Sequence, residues 1–150
     1  MEAESYADPE VANYINQNFT PLTFNIKQKG PVFHQYDALW TPGVILLDPE
    51  GRERYRIEGY LPRDEFFAKL IAGQARTAFM QKKWADAERL YNDIIQRFPQ
   101  TSAGAEAIYW GGVSHYKATN DHTAFGKVVS ELNASHPDSQ WAKAAQAWAG

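Results

Sequence analysis

The chain has 150 residues, 44 % of them hydrophobic and 14 % aromatic, which is enough apolar material for an ordered core and too much for a disordered chain. Fifteen Lys and Arg against eighteen Asp and Glu leave a net charge of −3, a balance too even to suggest a polyanion-binding surface, so no nucleic-acid partner is expected. There is no cysteine, so disulfides, thiolate metal sites and thiol catalysis are excluded within these residues, and no apolar run is longer than the four residues of Val44 to Leu47, far too short to enter a membrane as a span.

Asp8-Pro9-Glu10 reads as a helix start, with Asp8 as N-cap, Pro9 at the first helical position and Glu10 on the positive end of the dipole. Val11, Tyr14, Ile15 and Phe19 then form one apolar stripe. Leu22, Phe24 and Ile26 alternate with Thr23 and Asn25, which predicts a strand with one buried face. Gly30-Pro31 opens a short helix with Val32, Phe33 and Tyr36 inward. The run Gly43 to Leu47 predicts a central strand covered on both faces. Asp48-Pro49-Glu50-Gly51 has the residue types of a type I turn and leads into a returning strand from about Arg52 to Tyr60. Pro62 and Asp64 then begin a helix through Phe66, Phe67 and Leu70.

A seam near Ala72-Gly73 separates two textures: residues 1–72 carry seven basic and eleven acidic side chains, residues 73–150 eight and seven. The later part is Ala-rich and repeats itself. Ala75 and Gly112, Phe79 and Tyr116, and Ala87 and Ala124 fall at one spacing, and Pro99 and Pro137, Thr101 and Ser139, and Trp110 and Trp148 at a spacing one residue longer. Each proline precedes a Thr or Ser expected to cap the next helix. The prediction is a series of antiparallel helices over Gly73–Gln81, Trp84–Arg97, Ser102–Lys117, Asp121–Ala134 and Ser139–Ala149. Trp84-Ala85-Asp86-Ala87-Glu88, Tyr91, Phe98-Pro99, Ala107 to Gly112 and Tyr116 resemble the tetratricopeptide repeat, with His115 and Asn133 departing from its apolar pattern. That resemblance implies a protein-binding or scaffolding role and no chemistry.

The earlier part is similar to the later portion of the thioredoxin fold. The residues that carry the likeness are Trp40-Thr41-Pro42-Gly43-Val44-Ile45-Leu46-Leu47-Asp48-Pro49-Glu50-Gly51, then Arg56 to Tyr60 and Asp64-Glu65-Phe66. The resemblance implies a cis bond before Pro42 and a peptide-binding surface at Trp40, Thr41 and Pro42. Gly43 departs from the family, in which a side chain usually follows the proline. Met1 to Val11 resembles the stretch just past the family's Cys-x-x-Cys motif, so the sequence as written is expected to begin beyond the redox centre. The family's middle strand would then be missing between Leu22–Ile26 and Gly43–Leu47. Such a sheet must close the gap, borrow a strand from another copy of the chain, or stay partly open.

Other constellations favour ordinary structural roles. His34, His115, His122 and His136 lie in no metal-ligand spacing. Glu2, Glu4 and Glu10 read as a solvated acidic face, and Lys82-Lys83 as a loop tip. Arg52, Arg54 and Arg56 alternate as a stripe, read as the solvated guard of an edge strand rather than a site for an acidic partner. No catalytic, metal or cofactor site is expected.

The expected fold class is α/β plus all-α: an incomplete thioredoxin-like sheet with helices over residues 1–72, then tetratricopeptide-like antiparallel helical hairpins over 73–150. The expected function is non-catalytic protein binding, with a protein or an extended peptide as partner and a homo-oligomer formed by strand borrowing as a further outcome. The alternative is a fragment of a thiol–disulfide oxidoreductase whose Cys-x-x-Cys lies upstream of Met1. The acidic start predicts a cytoplasmic chain as written; a truncated start would make it periplasmic or of the cell envelope.

Overall fold

The structure is a computed structural model and describes residues 5–25, 27 and 30–150. Contacts divide it into two compact units, Met1–Phe67 and Ala68–Gly150. The expectations placed on Met1 to Glu4 and on Ile26 lie outside the described residues.

In the first unit, α1 spans Pro9–Asn18. Asp8 caps it as its sequence predicts: the carboxylate accepts from the backbone N–H of Glu10 at 3.0 Å and of Val11 at 3.1 Å. Hydrogen bonds from the Val11 N–H and the Arg63 side chain outweigh desolvation and hold the Asp8 carboxyl below the usual aspartate pKa. Arg63 also pairs with Glu10 and lies 2.7 Å from Asp64, tying the start of α1 to the start of α3 (Arg63–Met80). Beneath them Val11, Phe66 and Phe67 are buried, with Tyr6 edge-on to Phe66 at 5.1 Å and Tyr14 edge-on to Phe67 at 5.1 Å.

Among the described residues the sheet is a single antiparallel pair, β1 (Gly43–Leu47) and β2 (Glu53–Glu58), joined by the Asp48–Gly51 turn. Gly51 N–H closes that turn on Asp48 O at 2.9 Å, with Gly51 at φ +78°. Val44 faces Ile57 and Leu46 faces Tyr55 across the ladder, so these four share the apolar face. The expectation that β1 is covered on both faces is corrected: only Leu46 is buried, and Leu47, whose side chain alternates to the other face, is 41 % exposed. The expected strand at Leu22 is corrected too. Pro21–Asn25 forms no strand, and Leu22 and Phe24 are 76 % and 53 % exposed. An alternating pattern makes a strand only where a ladder lies alongside to satisfy its backbone.

The two helices expected on either side of Ala72-Gly73, one through Leu70 and one from Gly73, are instead a single helix, α3, from Arg63 to Met80. A glycine inside a helix costs about 1 kcal/mol relative to alanine. Burial of Leu70 and Ile71 alone is worth about 1.5–3 kcal/mol each, which decides for continuity. α3 ends at Met80, and in the turn that follows the φ of +61° at Lys82 lets Lys83 N–H reach back to Ala78 O at 2.9 Å.

The second unit continues with α4 (Trp84–Arg97), α5 (Ser102–Thr119), α6 (Thr123–Ser135), α7 (Gln140–Ala145) and a 3₁₀ turn, Gln146–Trp148. α5 packs on α4, α6 and α7, and α6 packs on α7. Their core contains Ala105, Ile108, Val128, Leu132, Ala142 and Ala145, closed over by Tyr109, Trp141 and Trp148. Tyr109 stacks on Trp148 at 4.6 Å. Ser139 caps α7 by accepting from Ala142 N–H at 3.0 Å. Thr101 does not cap α5 in this way; its hydroxyl donates back to Phe98 O at 2.7 Å, and no side chain caps that helix. The expected boundary at Asp121 moves to Thr123, because Asp121 itself accepts from the Thr123 N–H at 2.9 Å and stands outside the helix.

Candidate functional site: the open edge of the hairpin

The hairpin is braced at two points. Asp48 is 5 % exposed and accepts from the backbone N–H of Glu50 at 3.0 Å and Arg52 at 2.9 Å, and from Arg54 Nε at 2.9 Å. Burial pushes its carboxyl upward, but the Arg52 N–H and the Arg54 and Arg52 guanidiniums outweigh this, so its pKa lies below the ordinary aspartate value. A lowered pKa in the folded chain means that the unfolded chain binds the extra proton, so this stabilisation is present above about pH 4 and is lost as the pH falls further. Asp48→Asn is expected to lower the thermal midpoint at pH 7 and to shrink the difference between midpoints at pH 7 and pH 3. An unchanged difference would show that Asp48 carries no linkage.

The second brace is Arg56. Its guanidinium lies 2.7 Å from Glu53, donates to the carbonyl of Tyr36, and donates to that of Asp37 at 3.3 Å. Tyr36 Oη donates to Gly51 O at 3.1 Å. The segment after α2 (Pro31–Gln35) is thereby fixed along the hairpin, and Tyr36 is half-buried. The arginine stripe is therefore not a uniformly solvated guard. A bulge in the ladder lies at Arg54, and the side chains of Arg54 and Arg56 are only 18 % and 26 % exposed, while that of Arg52 is 62 % exposed. Sequence reasoning missed both braces, although Asp48 six residues before Arg54 across a tight turn is a signal that could have suggested one.

The segment released by the second brace leads to the predicted site. Leu39 and Trp40 are 86 % and 69 % exposed, Thr41 is exposed, and Pro42 is half-buried after a cis Thr41–Pro42 peptide bond. Pro42 O accepts from Gly59 N–H at 2.9 Å, which sets Tyr60, 57 % exposed, at the same end of the hairpin. A Cβ on Gly43 would stand 3.3 Å from Trp40 O, so glycine suits this close approach.

The Gly59–Pro42 hydrogen bond also fixes the phase of the ladder. Bonded and non-bonded pairs alternate in an antiparallel pair, so Val44 and Leu46 direct their N–H and C=O groups to β2, and Gly43 and Ile45 direct theirs away from it. Among the described residues no strand lies on that side. β1 carries no charge, no proline and no bulged residue of its own to guard this edge.

Among the described residues no group of His, Asp and Glu could hold a metal ion, and no helix is long and apolar enough to cross a membrane. Residues 1–74 match the family model of the thioredoxin-like domain. With no cysteine in the 150 residues, disulfide exchange has no thiolate here. No curated protein and no solved structure matches the chain.

Proposed function

We propose that the chain is a non-catalytic protein-binding module whose thioredoxin-like part takes an extended polypeptide segment along β1, beside Trp40, Thr41 and Pro42. The observation that carries this reading is the edge of β1, where Gly43 and Ile45 turn their backbone groups away from the only strand that pairs with them among the described residues. An added strand would satisfy those groups, as in other β-additions, and the exposed Leu39, Trp40 and Tyr60 would meet its side chains at the Pro42 end. The helical part is read as a scaffold of tetratricopeptide type. Its support is the packing of α5 on α4 and α6, and of α6 on α7, together with the recurrence of small and aromatic residues at matched positions.

The test is fluorescence anisotropy of the full chain with a labelled, unstructured hexapeptide of alternating Thr and Val. Saturable binding is expected, weakened about ten-fold, or ~1.4 kcal/mol, by Ile45→Pro. That substitution removes one outward N–H, a change that an edge strand tolerates when the N–H faces solvent. Circular dichroism is expected to stay unchanged. Equal affinity for the two chains would contradict the reading, and protection of the edge that rises with protein concentration would name a second copy as its occupant.

A further inference from the structure

The second unit holds a cleft that the sheet-edge reading does not use. About 190 Å³ of space opens over α5, lined by residues of α4, α5 and α6, and α4 and α6 both pack on α5. Gly112 makes the close approach possible, since a Cβ there would fall 2.1 Å from Val128 Cγ2. Ile108 and Val128 belong to the hydrophobic core and, with Ile95, give the cleft an apolar, firmly packed lining.

The polar lining is charged and uneven. Glu88 from α4 and Glu131 from α6 contribute two carboxylates, against the single ammonium of Lys127. Glu88 is held in place: His115 on α5 donates Nδ1–H to its Oε1 at 2.9 Å, with the two side chains 35 % and 28 % exposed. Half-buried charges are screened less than free surface charges. An anionic ligand would meet two like charges here, and a wholly apolar one would strip water from the half-buried Glu88 carboxylate without compensation. A long basic side chain has the complementary form, an apolar stem with a cationic head.

We propose that this cleft seats one arginine or lysine side chain of a partner protein, its methylenes against Ile95, Ile108 and Val128 and its cationic head between Glu88 and Glu131. The site does not depend on β1, so either can fail without the other.

The experiment titrates the ¹⁵N-labelled full chain with Nα-acetyl-arginine amide and follows backbone amide shifts. Saturable shifts are expected at Gly112, His115, Lys127 and Val128. The uncharged isostere Nα-acetyl-citrulline amide is expected to bind about ten-fold more weakly, and E131Q to weaken the arginine probe about five-fold, in keeping with loss of one charged partner. Glu131 is exposed, so E131Q leaves the fold intact, and K127E, which adds a third carboxylate, is expected to tighten binding. Equal binding of citrulline, an unchanged affinity in E131Q, shifts confined to other residues, or no saturable shift up to the solubility of the probe would overturn the proposal.

Discussion

Phe66→Ala is expected to lower the stability of the thioredoxin-like unit by about 3–5 kcal/mol, the range for removing a buried phenyl ring without collapse of the space. Phe66 is fully buried, and the edge of its ring contact with Tyr6 at 5.1 Å would be lost with it. The unit has little to compensate with. Among its described residues the sheet has two strands, and its large buried apolar side chains are Val11, Leu46, Ile57, Phe66 and Phe67. The check is urea unfolding followed at the methyl resonances of Val11 and Ile57. Their midpoint is expected to fall steeply in the variant, and a midpoint within error of the parent chain would mean that this core is not what holds the hairpin.

Gly104→Ala is expected to destabilise the helical unit by about 2 kcal/mol or more, although alanine in place of a helical glycine ordinarily gains about 1 kcal/mol. The sign reverses because the new Cβ would lie 2.3 Å from Pro99 O, a backbone atom that cannot rotate away. That carbonyl also accepts from His136 Nε2 at 2.9 Å, so displacing it breaks the link between the α4–α5 turn and the end of α6. Gly126→Ala supplies the contrast, since nothing lies within 4 Å of a Cβ there. It is expected to raise stability by about 0.5–1 kcal/mol. Thermal unfolding of both variants checks the pair, and a stabilised Gly104→Ala chain would contradict the packing described for that turn.

Features set by a few adjacent residues were legible in the sequence. Asp8-Pro9 carries its own cap, and Asp48 to Gly51 its own turn, because the chemistry of each lies within four residues. The misreadings concern what lies beside a segment. Leu22 and Phe24 alternate as a strand should but, among the described residues, have no ladder, and Gly43 to Leu47 is as apolar as a central strand but is paired there on one side only. Gly73 carries a helix-breaking preference that the buried neighbours Leu70, Ile71 and Ala75 outweigh. Thr101 had the type of a cap, yet a hydroxyl can donate to a preceding carbonyl as readily as accept from a following N–H, and it does the former. The site was legible only in part. Trp40 to Pro42 were singled out by a family resemblance alone, the Asp48 brace had a signal in Arg54 six residues on across a tight turn, and the Arg56 brace works through backbone carbonyls of the α2 segment, which no side-chain pattern announces.

The account rests on the outward groups of β1, and amide hydrogen exchange of the free, dilute chain tests them most directly. Val44 and Leu46 are expected to be protected by β2 while Gly43 and Ile45 exchange rapidly, and the alternating Thr-Val hexapeptide is expected to slow the latter two. Gly43 and Ile45 as protected as their neighbours before any peptide is added, or unaltered after it, would contradict an open edge that receives an extended segment.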